Sequence, residues 1–234
     1  MIILIGGMPR SGTTFLFNTV KEYFLKTSNT VMLHNVKTSI FMGKFLEDKD
    51  SSIRSNKYIN ICHYHDFHKL FHSMDNLKII YTIRDPRDTL ISQMKLQNWT
   101  FEDTLKKVDH AVNVTNHMID VRNKIFFTYP FLIENRREAI NRIFSYLDIN
   151  LNQRQLDELE KYSSIENMKS INKVLFEETD ATDFNNEFFF HSKHIQSGEN
   201  ERWKKELNKD QINFLTNRYH DFIKVFKLGS TKVI

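Results

Sequence analysis

The first 26 residues constrain the fold most. Residues 2–5 read Ile-Ile-Leu-Ile, an unbroken apolar run that stops at Gly6-Gly7. A short run that is apolar on both faces and rich in β-branched side chains predicts a strand buried inside a parallel sheet. Phe15, Leu16, Thr19, Val20, Tyr23 and Phe24 then recur at helical spacing over 13–26. The chain therefore opens as strand, glycine-containing loop and helix, the starting unit of an α/β fold.

The same alternation continues. Short apolar runs predict strands at 31–33, 58–62, 78–83 and 125–128. Helices are predicted from Asp85-Pro86, a favoured start with proline in the first turn, and over 101–123, 136–147, 153–162 and 208–226. Residues 37–55 are polar and mixed, and 178–200 read as an irregular loop around Phe188-Phe189-Phe190. Strands alternating with helices imply a parallel sheet with helices on both faces. No repeat or linker interrupts the 234 residues, so one domain spanning 1–234 is expected.

Composition narrows the function classes. Cys62 is the only cysteine, which excludes a disulfide framework within the chain or a multi-cysteine metal site and implies a reducing compartment. Lys and Arg outnumber Asp and Glu by 33 to 29 without a long basic run, which argues against a nucleic-acid platform. No apolar stretch approaches the roughly 20 residues of a membrane span. The apolar start is short and lacks a basic flank, so no secretory leader is expected. A cytoplasmic protein is the expectation.

Gly7-Met8-Pro9-Arg10-Ser11-Gly12-Thr13-Thr14 has the spacing of a phosphate-binding loop, in the required place between a strand and a helix. Backbone N–H groups and the helix dipole would face an anion there. The deviation is informative. Thr13 stands where nucleoside triphosphatases carry the lysine that neutralises the terminal phosphates, and Arg10 supplies a cation from inside the loop instead. A second motif follows the strand at 78–83. Arg84 ends that strand, and Ser92 lies eight residues on, about two turns into the next helix. An arginine fork and a hydroxyl so spaced could close on one phosphate at the C-terminal edge of the sheet.

With both motifs in view, the chain resembles the sulfotransferases that use 3′-phosphoadenosine-5′-phosphosulfate (PAPS). Residues 9–16, Pro-Arg-Ser-Gly-Thr-Thr-Phe-Leu, look like the family's 5′-phosphosulfate loop, and Arg84 with Ser92 looks like its 3′-phosphate site. The resemblance implies an α/β, single-domain parallel sheet flanked by helices, the P-loop NTPase-like sulfotransferase fold. It implies PAPS as co-substrate, adenosine 3′,5′-bisphosphate as product, and no metal. Arg10, Ser11, Gly12, Thr13 and Thr14 would hold the 5′-phosphosulfate. Tyr129 and Ser164 match adenine-side positions, and Gly198 and Arg202, ahead of Trp203-Lys204, match a segment that adds basic groups to the 3′-phosphate. Gln196-Ser197 replaces the Arg-Lys common there, with Arg202 or Lys193 as substitutes.

The expected reaction is in-line transfer of a sulfuryl group to a hydroxyl or amine. Arg10 would stabilise the departing phosphate and a histidine would act as base. His63 is ranked first, His65 second, and Asp66 and Glu47 are carboxylate alternatives. Ile61-Cys62-His63-Tyr64-His65 stands in place of the family's Lys-Thr-His-Leu-Pro, without the companion lysine. His68 and His72, four apart, permit a metal pair, though a solvated face fits them better. The acceptor, a small molecule or glycan, has no signature in 37–57, 64–76 or 178–195. A P-loop kinase of a small metabolite and a non-catalytic nucleotide-binding protein of the same fold are the competing readings.

Overall fold

The computed structural model describes residues 1–35, 42–43, 58–177, 184–185, 190–191 and 199–228. Among them, β1 (Ile2–Gly7), β2 (Val31–Asn35), β3 (Ile59–His63), β4 (Leu77–Ile83) and β5 (Lys124–Thr128) form one sheet. The strands run in the order β2-β3-β1-β4-β5, and every pairing is parallel. All five C-terminal ends therefore share one edge. The direction of winding reverses between β1 and β4, where open α/β sheets place their ligand crevice.

Helix α1 (Thr13–Thr27) follows β1, α2 (Pro86–Gln97) follows β4, and α3 (Phe101–Met118) leads into β5. Beyond β5 come α4 (Tyr129–Glu134), α5 (Arg136–Tyr146), α6 (Gln153–Tyr162) and α7 (Ile165–Glu177). A two-residue ribbon, β6 (Phe184–Asn185) with β7 (Phe190–His191), precedes α8 (Trp203–Glu206), α9 (Lys209–Arg218) and α10 (His220–Val225).

β1 organises both faces. Ile2 and Leu4 join Ile79, Tyr81, Ala111, Val114, Met118, Phe222 and Phe226 on one side of the sheet. Ile3 and Ile5 join Leu16, Phe17, Val20, Ile140, Ile143 and Phe144 on the other. The period of two splits the run between two cores, so neither face of β1 meets water. Burying each of the larger aliphatic and phenyl side chains contributes about 1.5–3 kcal/mol.

The predicted strands and most predicted helices are present, and the differences have local causes. His63 is the last residue of β3 rather than the residue after it. The helix predicted over 101–123 stops at Met118, and Ile119 is left exposed. The final helix breaks at Tyr219 into α9 and α10, because the Tyr219 N–H turns back to Leu215 and Asn217 together. Helices α4, α7 and the short α8 were not anticipated. The polar stretch 37–55 and the loop 178–200 fall largely outside the described residues. No helix among the described residues is long and apolar enough to cross a membrane.

Candidate active site

The loop after β1 is set by contacts with β4. Gly7 pairs with Thr82 in the sheet, and the Met8 N–H donates to the Thr82 carbonyl at 2.9 Å. A Cβ on Gly7 would lie 2.0 Å from Thr82 Oγ1 and 2.5 Å from its carbonyl oxygen, so only glycine fits. The Ser11 hydroxyl is wholly buried and bonds the Met8 carbonyl and Thr82 Oγ1, both at 2.5 Å. The side chain of Ser11 thus ties the loop to the sheet rather than facing the crevice.

Gly12 is the N-cap of α1 and adopts φ 94°, a left-handed conformation natural to glycine. Thr13 and Thr14 open the helix and are almost fully buried. Helices α2, α3, α6 and α9 all receive a side-chain cap at the N-terminus, from Asp85, Thr100, Asn152 and Asn208. α1, like α4, α5, α8 and α10, has no side-chain cap hydrogen bond, and its first turn holds no acidic residue. The positive dipole end of α1 therefore favours an anion there.

Arg10 sits at the apex of this loop in the left-handed region, φ 65°, an uncommon place for a residue with a side chain. Its Nε donates to Ser92 Oγ at 3.0 Å. Arg84, directly after β4, donates from Nη1 to the Arg10 carbonyl and from Nη2 to the Glu199 carbonyl, each at 2.9 Å. Its guanidinium lies 4.1 Å above the centre of the Tyr129 ring. Burial, with the neighbouring Arg84 charge adding to it, lowers the Arg10 pKa to about 10. Burial also lowers that of Arg84, and the Arg202 charge pushes both in the same direction. Arg10 and Arg84 thus meet where the winding reverses, after β1 and β4, under the influence of the Arg202 charge.

The C-terminal segment is fastened over this cluster. Arg202 ion-pairs with Glu206 at 2.9 Å. Trp203 stacks on Arg87 at 3.7 Å, and Arg87 is held by a buried bidentate pair with Asp85 and by Thr216 Oγ1 at 3.0 Å. Asp88, whose sequence position carries no signal of this role, accepts the N–H groups of Glu201 and Trp203 at 2.8 and 3.2 Å. Burial raises the Asp88 pKa, opposed by Arg84 and by those two amides.

The other predicted residues fall around this centre. Ser92, on α2, bonds Arg10 rather than standing with Arg84 alone. Tyr129 opens α4 between Gly12 and Arg84. Ser164 caps α7, its hydroxyl accepting the Asn167 N–H at 3.1 Å. Gly198, Gln196, Ser197, Lys193 and Glu47 lie outside the described residues.

His63 ends β3 beside β1, with 8% of its surface exposed and its ring edge-on to Phe17 and to His65. His65 is exposed to solvent, its ring edge-on to His63. Desolvation by the protein around the ring holds its pKa below the usual histidine value, against a 2.8 Å hydrogen bond between Nδ1 and the Gly7 carbonyl. Since a carbonyl only accepts, His65 Nδ1 carries the proton. Asp66 faces His110 at 3.5 Å on the far side. His68 accepts the Leu70 N–H and His72 stands edge-on to Phe67, the two serving a 3-10 turn at Lys69–Ser73. Among the described residues, no three His, Cys, Asp or Glu side chains are grouped to hold a metal ion.

A profile of the sulfotransferase domain matches residues 2–228. The chain belongs to the sulfotransferase domain family. It is 26% identical over 175 residues to an amine sulfotransferase of Oryctolagus cuniculus, an alignment that takes in 64% of this chain and 56% of that protein's length. The structure of mouse sulfotransferase SULT7A1 complexed with PAP superposes with a TM-score of 0.69 at 17% identity, covering 95% of this chain and 84% of that one. Retinol dehydratase in complex with retinol and PAP gives 0.63 at 16% identity, covering 95% and 81%. At these identities the structural likeness shows the sulfotransferase fold.

Proposed function

We propose that this sulfotransferase-family chain is a PAPS-dependent sulfotransferase acting as one domain on a hydroxyl or amine of a small-molecule or glycan acceptor. The observation that carries the reading is that the arginine after β1 and the arginine after β4 are brought together, Arg84 donating to the Arg10 carbonyl at 2.9 Å and Arg10 to Ser92 at 3.0 Å. Burial and the Arg202 charge disfavour the cationic forms of Arg10 and Arg84, and an anionic ligand would relieve both. Two separate arginine loops, after β1 and after β4, suit a ligand with two separated phosphate groups. PAP in the SULT7A1 and retinol dehydratase structures accords with this.

PAPS would supply the sulfuryl group and leave as the bisphosphate. The first turn of α1, with Gly12, Thr13, Thr14 and the Ser11-braced loop, holds the 5′ end. Arg84 and Ser92 hold the 3′-phosphate, with Arg202 and Gly198 beside them and Tyr129 and Ser164 toward the adenine. The acceptor oxygen or nitrogen bonds to sulfur as the bond from sulfur to the 5′-phosphate oxygen breaks. His63 takes the acceptor's proton, and Arg10 stabilises the charge left on the phosphate. His65, tied to the Gly7 carbonyl, keeps Nε2 as a lone pair and is the second candidate base. The single buried cysteine suits a reducing, cytoplasmic setting.

The test is calorimetric titration with adenosine 3′,5′-bisphosphate, 5′-AMP and ATP–Mg²⁺. Tight binding of the bisphosphate, with its advantage over 5′-AMP lost in Arg84→Ala, supports the reading. Equal affinity for bisphosphate and 5′-AMP, with preference for ATP–Mg²⁺, would favour a kinase. Tight bisphosphate binding without transfer to any hydroxyl or amine acceptor would favour a non-catalytic binding protein.

A further inference from the structure

We infer that Asp88 is the positioning residue that assembles the 3′-phosphate site before any nucleotide arrives, by fastening residues 199–203 against Arg84. This rests on the reading of Arg84 as the 3′-phosphate arginine. Asp88 lies in the first turn of α2 and is 3% exposed. A first-turn carboxylate on a surface helix would gain only a modest interaction with the helix dipole and would stay in water. Asp88 instead reaches residues more than a hundred positions away. Oδ2 accepts the Glu201 N–H at 2.8 Å and Oδ1 accepts the Trp203 N–H at 3.2 Å.

Three further observations give these bonds a purpose. Glu201 adopts φ 57°, a left-handed conformation that costs a side-chain-bearing residue on the order of 1 kcal/mol and persists only where its surroundings impose it. Asp88 is a group that imposes it. Two residues earlier, the Glu199 carbonyl receives Arg84 Nη2, so the same segment fixes one arm of that guanidinium. Between the two amides held by Asp88 lies Arg202, whose charge acts on both Arg10 and Arg84. The carboxylate thus sets the backbone on either side of Arg202 and, through Glu199, the fork of Arg84. A charge-assisted bond to each amide makes the placement stiff. Both oxygens of the carboxylate are engaged by backbone amides, so Asp88 does not itself occupy the anion site.

In this arrangement Asp88→Asn leaves one acceptor and turns an NH₂ group toward the second amide. The 3′-phosphate site loosens while the loop after β1 does not. The wild-type chain without nucleotide should show the Glu201 and Trp203 amides strongly protected from hydrogen exchange. Exchange at open-chain rates would overturn the proposal without any variant. For Asp88→Asn, calorimetry should show adenosine 3′,5′-bisphosphate binding weakened on the order of tenfold or more, the scale of a lost charged hydrogen bond, with 5′-AMP changed less than about twofold. Equal losses for both ligands, or none, would overturn it. Glu201→Gly, which keeps the amide and relieves the left-handed backbone, should retain the wild-type preference for the bisphosphate, and its loss there would count against the proposal. A wild-type protein that does not distinguish the two nucleotides would remove the reading of Arg84, and amide protection would still decide whether Asp88 holds the segment.

Discussion

The Arg10 Nε donates to Ser92 Oγ across 3.0 Å, joining the loop after β1 to the helix after β4. The two phosphate subsites proposed for the nucleotide thus already share a hydrogen bond. Arg10 is also the residue with the least comfortable backbone in the loop, at φ 65°. Strain held at such a position is retained where the side chain is needed.

Replacing Arg10 therefore separates stability from activity. Arg10→Ala is expected to reduce sulfuryl transfer by roughly 10²–10³-fold, the effect of losing a donor aimed at developing negative charge. Arg10→Gly should be equally inactive yet more stable than the alanine variant, by up to about 1 kcal/mol, because glycine adopts positive φ freely. Thermal melting and a transfer assay with labelled PAPS over a panel of hydroxyl and amine acceptors measure both. Full turnover in either variant would remove Arg10 from the proposed mechanism.

Gly7 should tolerate no side chain. An added Cβ meets Thr82 Oγ1 at 2.0 Å and the Thr82 carbonyl at 2.5 Å. Gly7→Ala is expected to cost about 3 kcal/mol, the upper range for overpacking a core. Adding Thr82→Ala removes the hydroxyl clash but not the backbone one, so rescue should be partial. Complete rescue in a double-mutant cycle would show that the strand, rather than the hydroxyl, gives way.

What could be read from sequence was what the chain specifies locally. The run at Ile2–Ile5 forms β1, the loop at Gly7–Thr14 leads from it into α1, Arg84 follows β4 and Ser92 lies in α2, all placements set by immediate sequence neighbours. Helix α4 was missed because Tyr129-Pro130 looks like the end of a strand, although proline suits a helix's first turn equally well. Helix α7 was missed because Ser164 was read only as a ligand-side residue, and its capping of the Asn167 N–H went unused as a helix start. The commitment of Ser11 to Thr82, and of Asp88 to Glu201 and Trp203, joins residues 71 to 115 positions apart. No local pattern announces such pairings, because they exist only once the sheet and the C-terminal segment have docked.

Cys62 should behave as a core residue rather than a reactive thiol. It lies in β3 opposite Leu4, with none of its surface accessible, and burial pushes its pKa far up. The thiolate that reacts with alkylating reagents is therefore scarce and shielded. Iodoacetamide at neutral pH should label the native chain at least about a hundredfold more slowly than the urea-unfolded chain. Rapid labelling of the native protein would mean that β3 opens readily.

The C-terminal helices are joined to α3 by Asp109, and this gives stability a defined dependence on pH. Asp109 receives Arg218 Nε and Nη2 at 2.8 and 2.7 Å and the Tyr219 hydroxyl at 2.9 Å. The Arg218 bonds hold its pKa below the ordinary 3.8, outweighing partial burial. A carboxylate depressed in the folded state adds stability above its unfolded value, and that addition is lost as pH falls through the folded value. Both side chains are partly exposed, so the contribution is limited to about 1 kcal/mol. Asp109→Asn should lower Tm by roughly 2–4 °C at pH 7. The gap between variant and wild type should begin to close as pH falls below 3.8 and should hardly change between pH 5 and 7. Melts over that range check it. A gap that persists undiminished at the acid end would mean that Asp109 acts through packing and not through its charge.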